Sequence, residues 1–254
     1  MEFSAHSLHM TQSPVPAPDR FGPANPQPPR EKIVNAPLLP VLIALSMPGL
    51  YALQSRLPDQ GLRWAFQPIT LVEGGWWPGL LTSMAVHGSW GHALINAGFA
   101  FAFGPPVARL FAGAKGAVVF LGYYVVFLGY YIVCGLAGTL GYGLVHLGSE
   151  APLVGASGAV TGLLGGAIRL MGGDGRPRPL TDRNVLGMSA AILILNAVTG
   201  LIGLAPGVEN AQIAWEAHAF GFLAGLLLIG PLAKWFGTGR PAFASLGGMG
   251  DPRG

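Results

Sequence analysis

Long apolar stretches dominate this chain, and charged positions punctuate them. Uncharged runs cover residues 33–55, 74–108, 116–149, 151–168, 184–208 and 217–233. A helix that crosses a bilayer needs about 17–25 predominantly apolar residues. Each run therefore holds one span, and the two longest also hold a loop or re-entrant stretch. The pattern predicts six spanning helices, near 36–55, 91–109, 116–138, 157–172, 184–203 and 213–233, in an all-α polytopic bundle. Composition agrees: 51% of the 254 residues are hydrophobic and 10% are charged, against about a quarter charged in soluble domains.

Lysine and arginine set the expected orientation. With both termini on one side, that side carries Arg20, Arg30, Lys32, Arg109, Lys115, Arg169, Arg176, Arg178, Arg183, Lys234, Arg240 and Arg253, and the other only Arg56 and Arg63. Twelve against two predicts cytoplasmic termini by the positive-inside rule. The pI of about 9.2 then reflects topology. No basic stripe with interleaved aromatics suggests nucleic-acid binding.

Residues 1–35, with "SPVPAPDRFGPANPQPP", are polar and proline-rich and read as a disordered cytosolic tail. No secretory signal or arginine-rich transit pattern precedes the first span. Residues 36–235 form the expected six-span core, and the glycine-rich 236–254 a flexible cytosolic tail. Between the first two spans, Trp64, Trp76 and Trp77 suit a loop in the membrane interface. The short loops and high Ala/Gly content point to a bacterial inner membrane. Cys134, the single cysteine, reads as a packed core thiol.

Polar groups inside a span are costly, so each calls for a partner or a function. They concentrate in "AVHGSWGHALINAGF", holding His87, His92 and Asn96; in "LVGASGAVTGLLGG", holding Ser157; and in "EAHAFGFLAG", holding His218. His92 and Asn96, four apart, share a face of the second span. His218, Gly221 and Gly225 share a face of the sixth. Gly158, Gly162 and Gly166 give the fourth span a small-residue stripe, which lets membrane helices approach closely. The fourth and sixth spans are thus expected partners, with Ser157 and His218 at corresponding non-cytoplasmic ends. Arg169, near the other end of the fourth span, is expected to reach the cytoplasmic interface. A serine hydroxyl needs an adjacent base to act as a nucleophile, and His218 can supply one. His92, Asn96 and the Ser157 amide, at a helix start, can supply donors to an oxyanion. The three constellations together suit acyl transfer.

The motifs "HGSWGHALIN", "GASGAVTG" and "AHAFGFLAG" resemble those of the rhomboid family of intramembrane serine proteases, in order and spacing: His-x4-His-x3-Asn, Gly-x-Ser-Gly, and Ala-His-x2-Gly-x3-Gly. The resemblance implies a six-helix rhomboid-like fold and a Ser157–His218 dyad without an aspartate. It places His92, Asn96 and the Ser157 amide in the oxyanion hole, lets Gly155 and Gly158 shape the nucleophile turn, and gives His87 a structural role. Its implied substrates are single-span membrane proteins met in the lipid, with no cofactor. The chain departs from the family's pattern twice: Ala108 stands where a loop-bracing glutamate is usual, and Thr161 where an aromatic ring commonly packs on the catalytic histidine.

Rival readings are weaker on the residues. His87 and His92, five apart, lie about 140° apart on a helix, unlike an i, i+4 zinc pair, so no metal is expected. Glu216 is two residues from His218, which turns it away, and reads as solvated or as a loop anchor. Asn196 and Thr199 read as bonding neighbouring helices. No internal repeat or paired mid-membrane charge supports a transporter. The remaining alternative is a catalytically silent rhomboid-like scaffold that binds membrane proteins.

Overall fold

The computed structural model describes residues 37–111, 117–203 and 214–237. The calls on residues 1–35 and on the tail beyond 237 lie outside them. The described residues are helical, with no strand and a single isolated antiparallel bridge between Phe66 and Leu153. Six longer helices are α1 (Leu38–Gln54), α2 (Trp90–Phe111), α3 (Ala117–Val145), α4 (Ser157–Leu170), α5 (Arg183–Ile202) and α6 (Trp215–Phe236). Trp90–Phe111, Tyr123–Val145, Arg183–Ile202 and Trp215–Phe236 are each long and apolar enough to cross a membrane. α1 is a shorter apolar helix. α4 has 14 residues, which at 1.5 Å rise span about 21 Å.

Internal prolines are Pro48 in α1, Pro105 and Pro106 in α2, and Pro231 in α6. Membrane helices tolerate them where neighbours re-satisfy the freed carbonyls.

α4 occupies the centre, packed against α2, α3 and α6. All its residues except Ser157 and Thr161 are buried. Small residues make this possible. A Cβ added at Gly221 would overlap the backbone of Gly158, and one at Gly225 the backbone of Gly162. The two pairs keep one register, so α4 and α6 run parallel with their backbones in contact, as the glycine stripes predicted. The third member of the stripe differs. Gly165 faces Phe222 and Leu226 of α6, whereas Gly166 faces Tyr130 and Val107. A helix turns 100° per residue, so a four-residue step drifts around the axis.

Tyr130 of α3 fastens the same junction. Its buried hydroxyl lies 2.8 Å from the Gly162 carbonyl and 3.0 Å from that of Gly225. Cys134, also buried, fills the space beside Gly162 as a core thiol. α1 packs on α2, with Pro40 against Gly104. α5 is the least buried apolar helix, with 11% of its apolar window enclosed.

Arg169 departs from the expectation of an interfacial side chain. It is buried, and its guanidinium donates to the carbonyls of Arg178 and Leu226, both at 2.9 Å. The 173–183 turn folds back under α4 and provides one of these acceptors.

Candidate active site

The segment that leads into α4 is set by the loop between α1 and α2. Phe66 and Leu153 exchange both backbone bonds, at 3.0 and 2.7 Å. Ile69 N–H donates to Ser149 O, and the Gln67 amide to Glu150 O. The Gly155 N–H donates to Ser83 O at 2.9 Å. Gly155 has φ +119°, a conformation L side chains rarely adopt. The space is closed as well: a Cβ there would lie 2.7 Å from His92 Cε1 and Nε2 and 3.7 Å from Ser157 Oγ. Gly155 therefore lets the His92 ring edge and the Ser157 hydroxyl flank the same point of backbone.

Ser157 is the first residue of α4. The N–H groups of a first helical turn have no acceptor within their own helix, and the positive end of the helix dipole lies there. The helix start thus aims backbone donors beside Oγ.

His92 sits in the first turn of α2, its N–H donating to Ser89 Oγ at 3.1 Å. Its Nδ1 accepts the Gly88 N–H at 3.4 Å. A neutral ring that accepts at Nδ1 carries its proton on Nε2, the nitrogen turned toward Gly155. Asn96 follows one turn later, buried, with its Nδ2 lacking a protein partner among the described residues.

His87 lies in the loop before α2, buried, its ring edge-on to His92 with centroids 5.2 Å apart. Burial, and then the neighbouring His92, push its imidazole down to about 4, so it stays neutral near pH 7. Among the described residues its ring nitrogens have no hydrogen-bond partner. The backbone of His87 is held instead: Gln54, the last residue of α1, donates Nε2–H to its carbonyl at 2.5 Å and accepts its N–H at 3.0 Å.

His218 lies in the first turn of α6, half-buried, with Nδ1 2.9 Å from Asn196 Oδ1 of α5. Its carbonyl is 2.9 Å from the Thr161 hydroxyl, which also lies 2.9 Å from Ser157 O and 3.0 Å from Gly158 O. The same region holds Gly138 of α3, where a Cβ would meet Ala217 O at 2.7 Å and the Gly158 Cα at 3.0 Å. The starts of α4 and α6 are thus drawn together, with Ser157 and His218 one turn or less from each contact. Glu216, on the other side of the α6 start, pairs with His146, in the turn just after α3, at 3.2 Å, in keeping with a loop anchor.

One residue of the site, Gln54, was not singled out from sequence; it braces the loop before α2. It carried a signal, a polar side chain at the end of an apolar span. Asn196 was read as bonding a neighbouring helix, and it does so, with His218 as the partner the reading did not name. Thr199, given the same reading, bonds back within its own helix. Ala108, where the glutamate brace was expected, is fully buried in the core.

A comparison with curated proteins yields no match. The family profile described as Rhomboid domain matches residues 73–235, more than half of the chain, and spans α2 to α6. Members of that family are usually intramembrane serine proteases, and inactive members exist. With its apolar helices and this domain, the protein is an integral membrane protein and belongs to the rhomboid family.

Proposed function

We propose that the protein is an intramembrane serine endopeptidase using a Ser157–His218 dyad. The observation that carries this reading is the convergence at Gly155, where a missing side chain leaves room for both the His92 Nε2 edge and Ser157 Oγ. His218 is linked to the same helix start through Thr161.

In the proposed reaction Ser157 Oγ attacks the scissile carbonyl while His218 takes its proton. The oxyanion accepts hydrogen bonds from His92 Nε2–H, the Asn96 amide and the Ser157 N–H. Such donors act before charge develops and need no reorganisation. The carbon–nitrogen bond then breaks, His218 returns its proton to the departing amine, and an acyl-serine remains. Water, giving a proton to His218, attacks that ester, and His218 passes the proton to Ser157 Oγ as the carbon–oxygen bond breaks and the acid departs. His87 and Gly158, Gly221 and Gly225 support the geometry without touching the reacting atoms.

The substrate in this reading is a single-span membrane protein arriving through the lipid. We assign α1 and α4 as the two further spans of a six-span core, with both termini cytoplasmic in a bacterial inner membrane. The shortness of α4, about 21 Å against a hydrocarbon core of about 30 Å, suits a nucleophile sunk below the membrane surface. A fluorophosphonate serine probe on the detergent-purified chain tests the proposal without a known substrate. Label that disappears in both Ser157→Ala and His218→Ala supports it. A folded wild type that takes no label overturns it in favour of a silent binding member.

A further inference from the structure

Asn196 contacts His218 in a way that a tie between helices does not require. We propose that Asn196 is a positioning residue for His218, holding its imidazole in the tautomer protonated on Nδ1 so that Nε2 is free to take the serine proton. The inference rests on the protease reading above and gives the dyad a third, neutral partner.

The direction of the bond follows from chemistry. The atom of Asn196 that lies 2.7 Å from the Trp215 carbonyl must be a donor, because a carbonyl oxygen only accepts. That atom is Nδ2. The acceptor end, Oδ1, then faces His218 Nδ1 at 2.9 Å. An amide oxygen has no proton to give, so a hydrogen bond there places the imidazole proton on Nδ1. Neutral imidazole carries one N–H, and Nε2 keeps its lone pair.

Other polar residues of α5 do not take this role. Thr199 turns its hydroxyl back to Leu195 O and Asn196 O of its own helix. The Trp215 bond alone would tie α5 to the start of α6, and Asn196 makes the His218 contact in addition. The proton balance is simple. When Nε2 accepts the Ser157 proton, both ring nitrogens bear hydrogen and Oδ1 continues to accept from Nδ1. When Nε2 passes its proton to the leaving amine, the ring returns to its starting tautomer. An amide adds no countercharge, so its contribution is orientation, tautomer choice and partial stabilisation of the imidazolium.

Nitrogen NMR of the full chain in detergent, with ring-labelled histidine and His218→Ala to identify the signal, tests this directly. The expected wild-type ring is protonated on Nδ1, and Asn196→Leu loses that preference. In the same preparations the maximal rate of fluorophosphonate labelling should fall about 10- to 100-fold in Asn196→Leu, a part of the roughly 10²- to 10⁴-fold usual for general-base assistance, since the base itself remains. The half-saturating probe concentration should hold. Asn196→Asp retains an acceptor toward Nδ1 and should label faster than the leucine variant. A wild-type His218 protonated on Nε2 overturns the proposal even if no variant folds. So does wild-type labelling in Asn196→Leu. A wild type that never labels is a different result: it removes the protease reading itself, and the catalytic role of Asn196 with it.

Discussion

The Thr161 hydroxyl reaches the backbone carbonyl of His218 at 2.9 Å. One turn of α4 below Ser157, it also lies against that residue's carbonyl at 2.9 Å, so a single proton is shared between the two helix starts. Where the family commonly places an aromatic ring on the histidine side chain, this chain holds the histidine backbone. Thr161→Val keeps the shape and removes the hydroxyl. It should cost about 1 kcal/mol of stability, the usual net worth of one hydrogen bond. The labelling rate of Ser157 should drop at the same time. An unchanged rate in the valine variant would show that close glycine packing alone fixes His218.

Ser157→Ala and His218→Ala should each abolish turnover while leaving the helical fold intact. Ser157 opens α4 outside its buried set, and His218 is half-buried at a helix start. Circular dichroism and thermal unfolding establish the fold, and cleavage of a transmembrane reporter establishes activity. Cleavage by Ser157→Ala at the wild-type rate would end the mechanism proposed here.

The proposed oxyanion hole has three donors, so loss of any one should be graded. Asn96→Ala removes one of three donors and should lower the rate by about 10²-fold or less. His92→Ala removes the Nε2–H and also empties the space beside Gly155, and should cost more. Since both act on one oxyanion, the double variant should lose less than the sum of the two effects. Single-turnover rates of acylation in the four proteins measure this.

How much of this could be read from sequence divides along a physical line. Positions of apolar helices follow from uncharged run length, and the start of α4 at Ser157 was expected. The parallel contact of α4 with α6 also followed, because glycines at three- and four-residue steps leave one face bare. Rotations of side chains about those helices did not follow. Gly165 replaced Gly166 at the interface, and Arg169 turned inward to the carbonyls of Leu226 and Arg178. A costly polar group must find a partner, yet the partner depends on helix rotation that run length does not encode. Asn196 and Gln54 were legible as polar exceptions and illegible as ligands of His218 and of the His87 backbone.

Gln54 offers a test of the loop that precedes α2. Its amide satisfies both backbone groups of the buried His87. Gln54→Leu would leave that N–H and C=O unpaired, at about 1–3 kcal/mol for each group. The loop also supplies Ser83 O, which anchors Gly155, and Gly88 N–H, which sets the His92 tautomer. The variant should therefore unfold at lower temperature and label more slowly even where it is fully folded. Hydrogen exchange at residues 83–89 should rise in parallel. Gln54→Glu, which keeps an acceptor for the His87 N–H, should fall between leucine and wild type.

Gly221, like Gly225, admits no side chain on the α6 side. A methyl group there meets the backbone of Gly158 rather than the end of a flexible side chain, so relief requires α6 to move away from α4. Overpacking of this kind costs about 1–3 kcal/mol. The functional cost should be larger than the stability cost, because the displaced turn is the one that carries His218 three residues earlier. Gly221→Ala should thus retain its helices and lose most fluorophosphonate labelling. Gly187→Ala is the matched control: a Cβ there meets nothing within 4 Å, so it should label as the wild type does. If both alanine variants label equally, the close approach of α4 and α6 is not what the proposed Ser157–His218 dyad depends on.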